Sequence, residues 1–558
     1  MKRLHPVERW GAIALMLVAW ALRWVLLMDA PPGWRDDDLI EVYTFSQRIV
    51  EEGPVLYFTG ASGHEPLFHT LRAPIIAFAG INQASARWLS AAAGTLTTLL
   101  TWTVGRRTIG RHAAFVGAVL VTVSFWSLMY SRVAIRHIGT LPWALMAVYW
   151  GWRILHDGPN LHTRRSLIGT AVGVGGAVLT YYAGRLVPVL LLLMYPIAGP
   201  RRGRWRPYMA AIALGMALAL PMFYVAAQTT GADARVSELA LPVHALLEGN
   251  LSPLLQTAWT TLGMAHARGD PEWLYNISER SVFGAAGAVA FYGAIAFALC
   301  RWRRPQSRVL LVWLAVGVSP ALISLPPSSY GHTILALPGT YLLLASPIEP
   351  LLDLPHWMRR ITNILALLLV ALVATRDIGD YFQDWSGASM VKFLYRADYR
   401  SLASFFDVND DIRDASVGSM LFGPWDKVSL KTDLLRRDAR IRWASPERAL
   451  VFASGQPTLT YLQDEGQRCS AIQAILSRSR TSAAPEGLQG YVIEPVVVPV
   501  QAVQEASDGR VLSDTPFAGA LVLRAARRLP SVEKEASVFF ADEAPEPLLI
   551  LAESADLN

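Results

Sequence analysis

Gly33-Trp34-Arg35-Asp36-Asp37-Asp38 follows the first long apolar segment, Ala12 to Met28, by only a few residues. It opens a stretch that ends on Gly63-His64-Glu65-Pro66-Leu67-Phe68-His69, before Pro74. Three consecutive carboxylates have no packing use in lipid, because a charge near hydrocarbon is costly. Either they form a solvated acidic turn capping the next helix, or a site holds them at a membrane surface.

The apolar segment before the triplet is one of many. Further candidate spans cover about 86–104, 112–130, 138–155, 166–183, 186–198, 208–227, 282–300, 309–325, 333–346 and 361–375, near the roughly 20 residues a bilayer crossing needs. With 53% apolar and 17% charged residues, the 558-residue chain reads as an α-helical polytopic membrane protein of about eleven transmembrane helices. The net charge of +6 implies no nucleic-acid partner. Its arginines cluster in short loops between spans, and no basic stripe interleaved with aromatics is present.

Arg106-Arg107, Arg164-Arg165, Arg201-Arg202-Gly203-Arg204, Arg301-Trp302-Arg303-Arg304 and Arg359-Arg360 all fall on one side of such a topology. The positive-inside rule makes that side cytoplasmic, with the N-terminus. Loops 29–85 and 228–280 then lie outside, as does everything after the last span. Lys2, Arg3 and Arg9 flank an apolar run longer than a signal-peptide core, which reads as a retained first span in a multi-pass protein of the cell membrane. Cys300 and Cys469 fall on opposite sides, so no disulfide framework is expected.

Inside the first outer loop, Leu39 to Val50 has the spacing of a helix lying on the membrane surface, stopped at Glu51-Glu52-Gly53-Pro54. A second helix, Leu67 to Ala79, follows the His64-Glu65-Pro66 turn. Residues 1–375 thus form the membrane domain, and 376–530 a small extracytoplasmic soluble domain of α/β or α+β class. The stretch 531–558 reads as a loosely ordered tail. Strand-like runs fall at Ala449–Phe452, Tyr491–Val500 and Ala520–Leu523, and helical patterns at Tyr399–Phe406 and Ser470–Leu476. Asn276-Ile277-Ser278 matches a glycosylation sequon, a pattern short enough to arise by chance.

Asp36, Asp37 and Asp38 are the first candidates for chemistry, since adjacent carboxylates repel and one would hold its proton more tightly, as a base does. His64 would bind an anionic leaving group and Glu65 order its loop; the plain alternative is a Pro-initiated helix entry. Ser131-Arg132 to Arg136-His137, and Tyr181-Tyr182-Ala183-Gly184-Arg185, place cations opposite to the positive-inside bias. Arg132, Arg136 and Arg185 suit phosphate, or equally lipid head groups and the acidic loop. His332, in Tyr330-Gly331-His332, and His266 with Arg268 are weaker candidates. A base facing cations suits transfer of a group from a lipid phosphate.

With those residues in place, the chain resembles the GT-C membrane glycosyltransferases of the protein O-mannosyltransferase and aminoarabinose-transferase type, glycosyltransferase family 39. Asp37-Asp38 is similar to their Asp-Glu pair, His64-Glu65-Pro66-Leu67 to their His-Pro-Pro-Leu turn, and Ser131-Arg132 to their Ser-Arg. Gly269-Asp270-Pro271-Glu272-Trp273-Leu274-Tyr275-Asn276 is similar to a segment of bacterial members. Asp38 stands where Glu is usual, Glu65 replaces a Pro, and His137 falls where the mannosyltransferases have Asp. A register shifted by one would bring in Asp36.

The resemblance implies a GT-C-like fold and an inverting transfer from a polyprenyl-phosphate-linked sugar to an acceptor hydroxyl of protein, lipid or glycan at the outer face. It gives Asp37 the role of base and Asp38 that of orienting group. Arg132, His64, Arg185 and Arg136 would stabilise the departing phosphate. No cofactor is required, although Asp37 and Asp38 could hold a divalent metal. The alternatives are an oligosaccharyl or cell-wall polymer ligase using a lipid-diphosphate donor, and a non-enzymatic lipid transporter.

Overall fold

The computed structural model of the chain describes residues 6–60, 63–157, 162–201, 203–231, 239–410, 413–418 and 425–444, followed by the strands named below. It divides into two compact units, 1–395 and 396–558.

The first unit is helical. Helices stand at Pro6–Trp24, Gln83–Thr108, Arg111–Val123 with Phe125–Ser131, Thr140–His156, His162–Val178, Leu186–Ile197, Trp205–Gln228, Gly284–Cys300, Pro305–Ile323, Ala336–Ala345 and His356–Gly379. Each expected span therefore contains a helix. Among the described residues, three segments are long and apolar enough to cross a membrane by themselves: Trp205–Gln228, Pro305–Ile323 and His356–Trp385. Arg111–Val123 with Phe125–Ser131 makes a fourth if the pair, bent by 58°, is one span. Burial explains why other helices fall below that standard. Every residue of Ala336–Ala345 is buried, so its neighbours shield a helix too short for lipid.

The bend has a local cause. Ser124 leaves the helical region (ψ 138°) and its hydroxyl caps Ser127 N, while the Asp377 carboxylate accepts from Phe125 N at 2.9 Å. Two orphaned donors of the restarted helix are thereby satisfied.

The bundle has two chemically distinct ends. At one, basic residues pair across helices: Arg106 with Glu8 (3.1 Å), Arg107 with Asp157 (3.5 Å) and His112 with Glu349 (3.3 Å). At the other, the long first loop meets the turns at 131–139 and 179–185. Leu67 N donates to Leu179 O at 3.0 Å, and Arg72 Nη1 to Ala134 O at 2.6 Å.

The helix expected at Leu39–Val50 is present but wound and placed differently. Asp36–Leu39 runs into a π-helical stretch, Ile40–Gln47, and then Arg48–Glu52, which ends at Gly53 with φ +93°. That backbone conformation favours glycine. Leu39, Val42, Phe45 and Ile49 are buried inside the protein, with Phe45 and Ile49 in a cluster with Phe58 and Ala73. The apolar face is therefore covered by the chain itself.

The second unit holds a five-stranded sheet in the order β2-β1-β4-β6-β5. Parallel pairing joins β1 (Asp414–Gly418) to β2 (Arg440–Ala444) and β4 (Thr458–Gln463), with helix Trp425–Asp433 between β1 and β2 in the chain. Antiparallel β6 (Gly490–Ile493) and β5 (Thr481–Ala483) complete it. A second, antiparallel sheet runs β3-β10-β9-β8-β7, from β3 (Ala449–Ala453), β10 (Leu548–Glu553), β9 (Glu535–Phe540), β8 (Ala520–Arg528) and β7 (Val511–Phe517). Helix Ala397–Val408 packs Tyr399, Leu402 and Phe406 against Val417 and Leu430. Ser470–Leu476 and Cys469 lie outside the described residues.

Candidate active site

The acidic triplet forms the first turn of its helix, after Arg35 in extended backbone (φ −106°, ψ 167°), where carboxylates suit the helix dipole. Its members differ in environment. Asp36 and Asp37 are exposed, whereas Asp38 is fully buried. Asp38 Oδ1 accepts from Arg35 Nε at 3.0 Å and from Ala134 N at 3.2 Å, which anchors the helix to the 131–136 turn. The Arg35 guanidinium lies 4.7 Å from the ring centre of Tyr275, a cation–π contact in a dry setting. Asp37 Oδ2 accepts from the Tyr275 hydroxyl at 2.8 Å.

One turn on, a chain of buried ion pairs begins. Glu41 Oε1 meets Arg136 Nη1 at 2.9 Å, and Glu41 Oε2 lies 3.5 Å from Arg72 Nη2. Arg136 Nη1 also reaches His64 Nε2 at 3.0 Å, and Arg136 Nε lies 3.5 Å from Glu65 Oε2. Glu65 is fully buried and holds Arg185 Nη2 at 2.9 Å; Arg185 is one-third exposed. Burial pushes the Glu41 carboxyl up despite the arginines beside it. The pair Glu41 and Glu65 carries two negative charges against three on Arg72, Arg136 and Arg185. The surplus positive charge surfaces at Arg185.

Arg185 is aimed by its turn. Tyr182–Arg185 is a single 3-10 turn in which Gly184 lies so close to the preceding helix that an added Cβ would sit 1.8 Å from Ala177 O. The guanidinium stacks over Tyr182 (4.1 Å) and Phe223 (5.4 Å).

An aromatic line joins this cationic end to Asp37. Tyr275 stacks on Tyr130 at 5.8 Å, Tyr130 meets His137 at 5.2 Å, and His137 meets Tyr181 at 4.1 Å. The Arg136 guanidinium lies 5.3 Å from the centre of the Tyr181 ring.

The structure thus gathers Asp37, Asp38, His64, Glu65, Arg136 and Arg185, with Asp36 on the exposed side of the same turn. Arg132 goes elsewhere. Its Nε donates to Ala30 O (2.9 Å), Nη1 to Leu22 O (2.8 Å) and Nη2 to Leu26 O (2.6 Å). These are carbonyls at the end of the first helix and in the turn after it, so Arg132 ties that turn together. His332 stands at the loop end with Nδ1 2.9 Å from Ser324 Oγ, and His266 pairs with the Tyr292 hydroxyl at 2.7 Å.

Arg35, Glu41, Arg72, Tyr130 and Tyr275 escaped the sequence reading. Arg72 carried a usable signal, since a charge four residues from Phe68 and from Ile76 sits on the buried face of helix Leu67–Ala79 and demands a partner. Glu41, three residues beyond Asp38, is its counterpart.

The loop carrying Tyr275 is pinned by Asp270, which is fully buried and accepts from Glu272 N at 3.0 Å and Tyr330 N at 2.8 Å. Asn276 of the sequon is equally buried and donates to Asp270 O and Arg280 O, both at 2.9 Å, so it serves the loop. Desolvation raises the Asp270 carboxyl to about 7. A carboxyl raised in the folded state favours folding while protonated, so stability falls as pH climbs from the ordinary carboxylate range through about 7. Thermal unfolding of the purified chain across pH 5–8 is expected to show this fall, and Asp270→Asn to flatten it.

Among the described residues, no group of three or more His, Cys, Asp or Glu side chains is arranged to hold a metal ion.

The family described as dolichyl-phosphate-mannose-protein mannosyltransferase matches residues 64–227, which include His64, Glu65, Arg136 and Arg185 but not the acidic triplet. No curated protein is matched. Among solved structures, the oligosaccharyltransferase AglB of Archaeoglobus fulgidus, in complex with an inhibitory peptide and a dolichol-phosphate, is 13% identical with TM-score 0.49. The alignment covers 76% of this chain and 64% of that one, so the chain spans less than two thirds of that relative. ArnT of Cupriavidus metallidurans is 12% identical in the apo state, over 88% of this chain and 99% of that one, TM-score 0.49. Bound to undecaprenyl phosphate it gives 12%, 87%, 97% and 0.48. Over residues 64–227, within its helical unit, the chain is thus similar to the dolichyl-phosphate-mannose-protein mannosyltransferase family.

Proposed function

We propose that the chain transfers a sugar from a polyprenyl-phosphate donor to an acceptor hydroxyl, with inversion, at the extracytoplasmic face of the cell membrane. The observation that carries this reading is the polarity of the loop end. An exposed carboxylate, Asp37, stands at one end of an aromatic line, and at the other stands Arg136, which shares Glu65 with the one-third exposed cation Arg185. Asp37 takes the acceptor proton while the acceptor oxygen attacks the anomeric carbon from the side opposite the phosphate. The bond to the phosphate oxygen breaks as the new one forms. Arg185 meets the charge left on the lipid phosphate, with Arg136, His64 and Glu65 behind it. Asp38 fixes the helix that presents the base.

In this reading the eleven expected spans cross the membrane and the basic end faces the cytoplasm, as the positive-inside rule requires. The second unit, residues 396–558, is extracytoplasmic in this reading.

The test is to incubate the purified full chain with polyprenyl-phosphate sugars and a panel of protein, lipid and glycan hydroxyl acceptors. The expected product carries the anomeric configuration opposite to the donor's. A product of retained configuration, or no transfer with any donor, would remove the reading.

A further inference from the structure

Tyr275 comes from the second large loop, 238 residues along the chain from Asp37, yet its hydroxyl donates to the carboxylate that the reaction needs as base. The hydrogen bond is 2.8 Å long and faces solvent. An acceptor hydroxyl waiting for deprotonation would make the same bond to the same oxygen. We propose that the Tyr275 phenol holds the acceptor's place on Asp37 Oδ2, so that an acceptor binds by displacing it and water is kept from that position meanwhile. This rests on Asp37 acting as the base of the transfer.

Three features support a standing occupant over a passing contact. The ring is held by Tyr130 in parallel stacking and by the Arg35 guanidinium. The loop backbone is fixed by Asp270 and Asn276, with Tyr275 N bonded to Glu272 O at 3.0 Å. Burial and the neighbouring Asp37 push the phenol well above its usual range, so it stays a proton donor.

Removing the hydroxyl leaves a space that water fills. A water that donates to Asp37 Oδ2 stands where the acceptor would. Its oxygen forms a bond to the anomeric carbon as the bond from that carbon to the phosphate oxygen breaks. The electron pair leaves with the polyprenyl phosphate, one water proton passes to Asp37, and free sugar is released.

Tyr275→Phe keeps the ring, its stacking and its contact with Arg35, and deletes only the hydrogen bond. With a polyprenyl-phosphate sugar and no acceptor, the variant is expected to release free sugar about 5-fold faster than the natural chain. That factor corresponds to the ~1 kcal/mol net worth of one hydrogen bond. The acceptor KM should fall by a similar factor, with the donor KM unchanged. Adding Asp37→Asn should abolish the released sugar. Hydrolysis and acceptor KM unchanged in Tyr275→Phe, with transfer intact, would overturn this inference and leave the transferase reading standing. Loss of transfer in Tyr275→Phe with unchanged unfolding temperature would also overturn it, because the phenol would then be needed in the transfer itself. Normal transfer by Asp37→Asn alone would remove the base, and with it both readings.

Discussion

Asp37→Asn is expected to lower sugar transfer by at least about 100-fold while leaving the unfolding temperature of the purified chain unchanged, since general-base removal typically costs 10² or more in rate. The substitution is nearly isosteric. Asp37 is exposed, and an amide oxygen still accepts the Tyr275 hydroxyl, so little stability is at stake. What disappears is an oxygen able to take a proton. Asp38→Asn separates the two roles. Its carboxylate is the buried partner of Arg35, and breaking such a pair costs about 3–5 kcal/mol. That variant should lose unfolding temperature together with activity. Asp36→Asn should lose neither; if it alone loses transfer, the base is Asp36 and the register of the resemblance shifts by one. Initial rates and thermal unfolding on the three single variants decide among these outcomes.

These carboxylates were legible because charge beside an apolar run is informative wherever it occurs. The helices were legible for the same reason, since the hydropathy of a membrane-facing segment is a local property. The partners of the site were not. Arg132 and Arg136 are the same residue type four positions apart, beside a helix end, and the sequence cannot say which one turns toward Glu41 and Glu65. The fold decides it, because the carbonyls of Leu22, Leu26 and Ala30 lie within reach of Arg132 alone. Tyr275 and Asp37 meet across most of the membrane unit, so no spacing rule connects them. The winding of Ile40–Gln47 was hidden too, since its apolar residues suited an ordinary amphipathic helix. In the second unit, β3, β6 and β8 showed through their apolar runs. The short parallel strands β1 and β4, DASVG and TLTYLQ, mix polar and apolar residues and did not.

Arg185→Ala is expected to lower kcat by about 100-fold or more with a much smaller change in donor KM, because the charge it meets grows during the reaction. A polyprenyl-phosphate sugar is a phosphodiester with one negative charge, and the departing phosphate monoester gains a second as the bond to the sugar breaks. A cation at that oxygen therefore stabilises the transition state more than the bound donor, and its loss falls on kcat. Arg185 is suited to this because Glu65 is shared. With Arg136 and Arg185 both on the one buried carboxylate, the pair retains net positive charge, and Arg185 is the member that reaches solvent. Arg185→Lys should recover only part of the rate, since an ammonium cannot hold Glu65 with one nitrogen while presenting a planar fork to phosphate. Glu65→Gln supplies the contrast. It leaves Arg185 charged but releases it, so transfer should fall while donor affinity rises or holds. Steady-state kinetics on the three variants, with donor and acceptor varied separately, read the difference. A donor KM that rises in step with the loss of transfer in Arg185→Ala would assign this arginine to ground-state binding of the lipid head group instead.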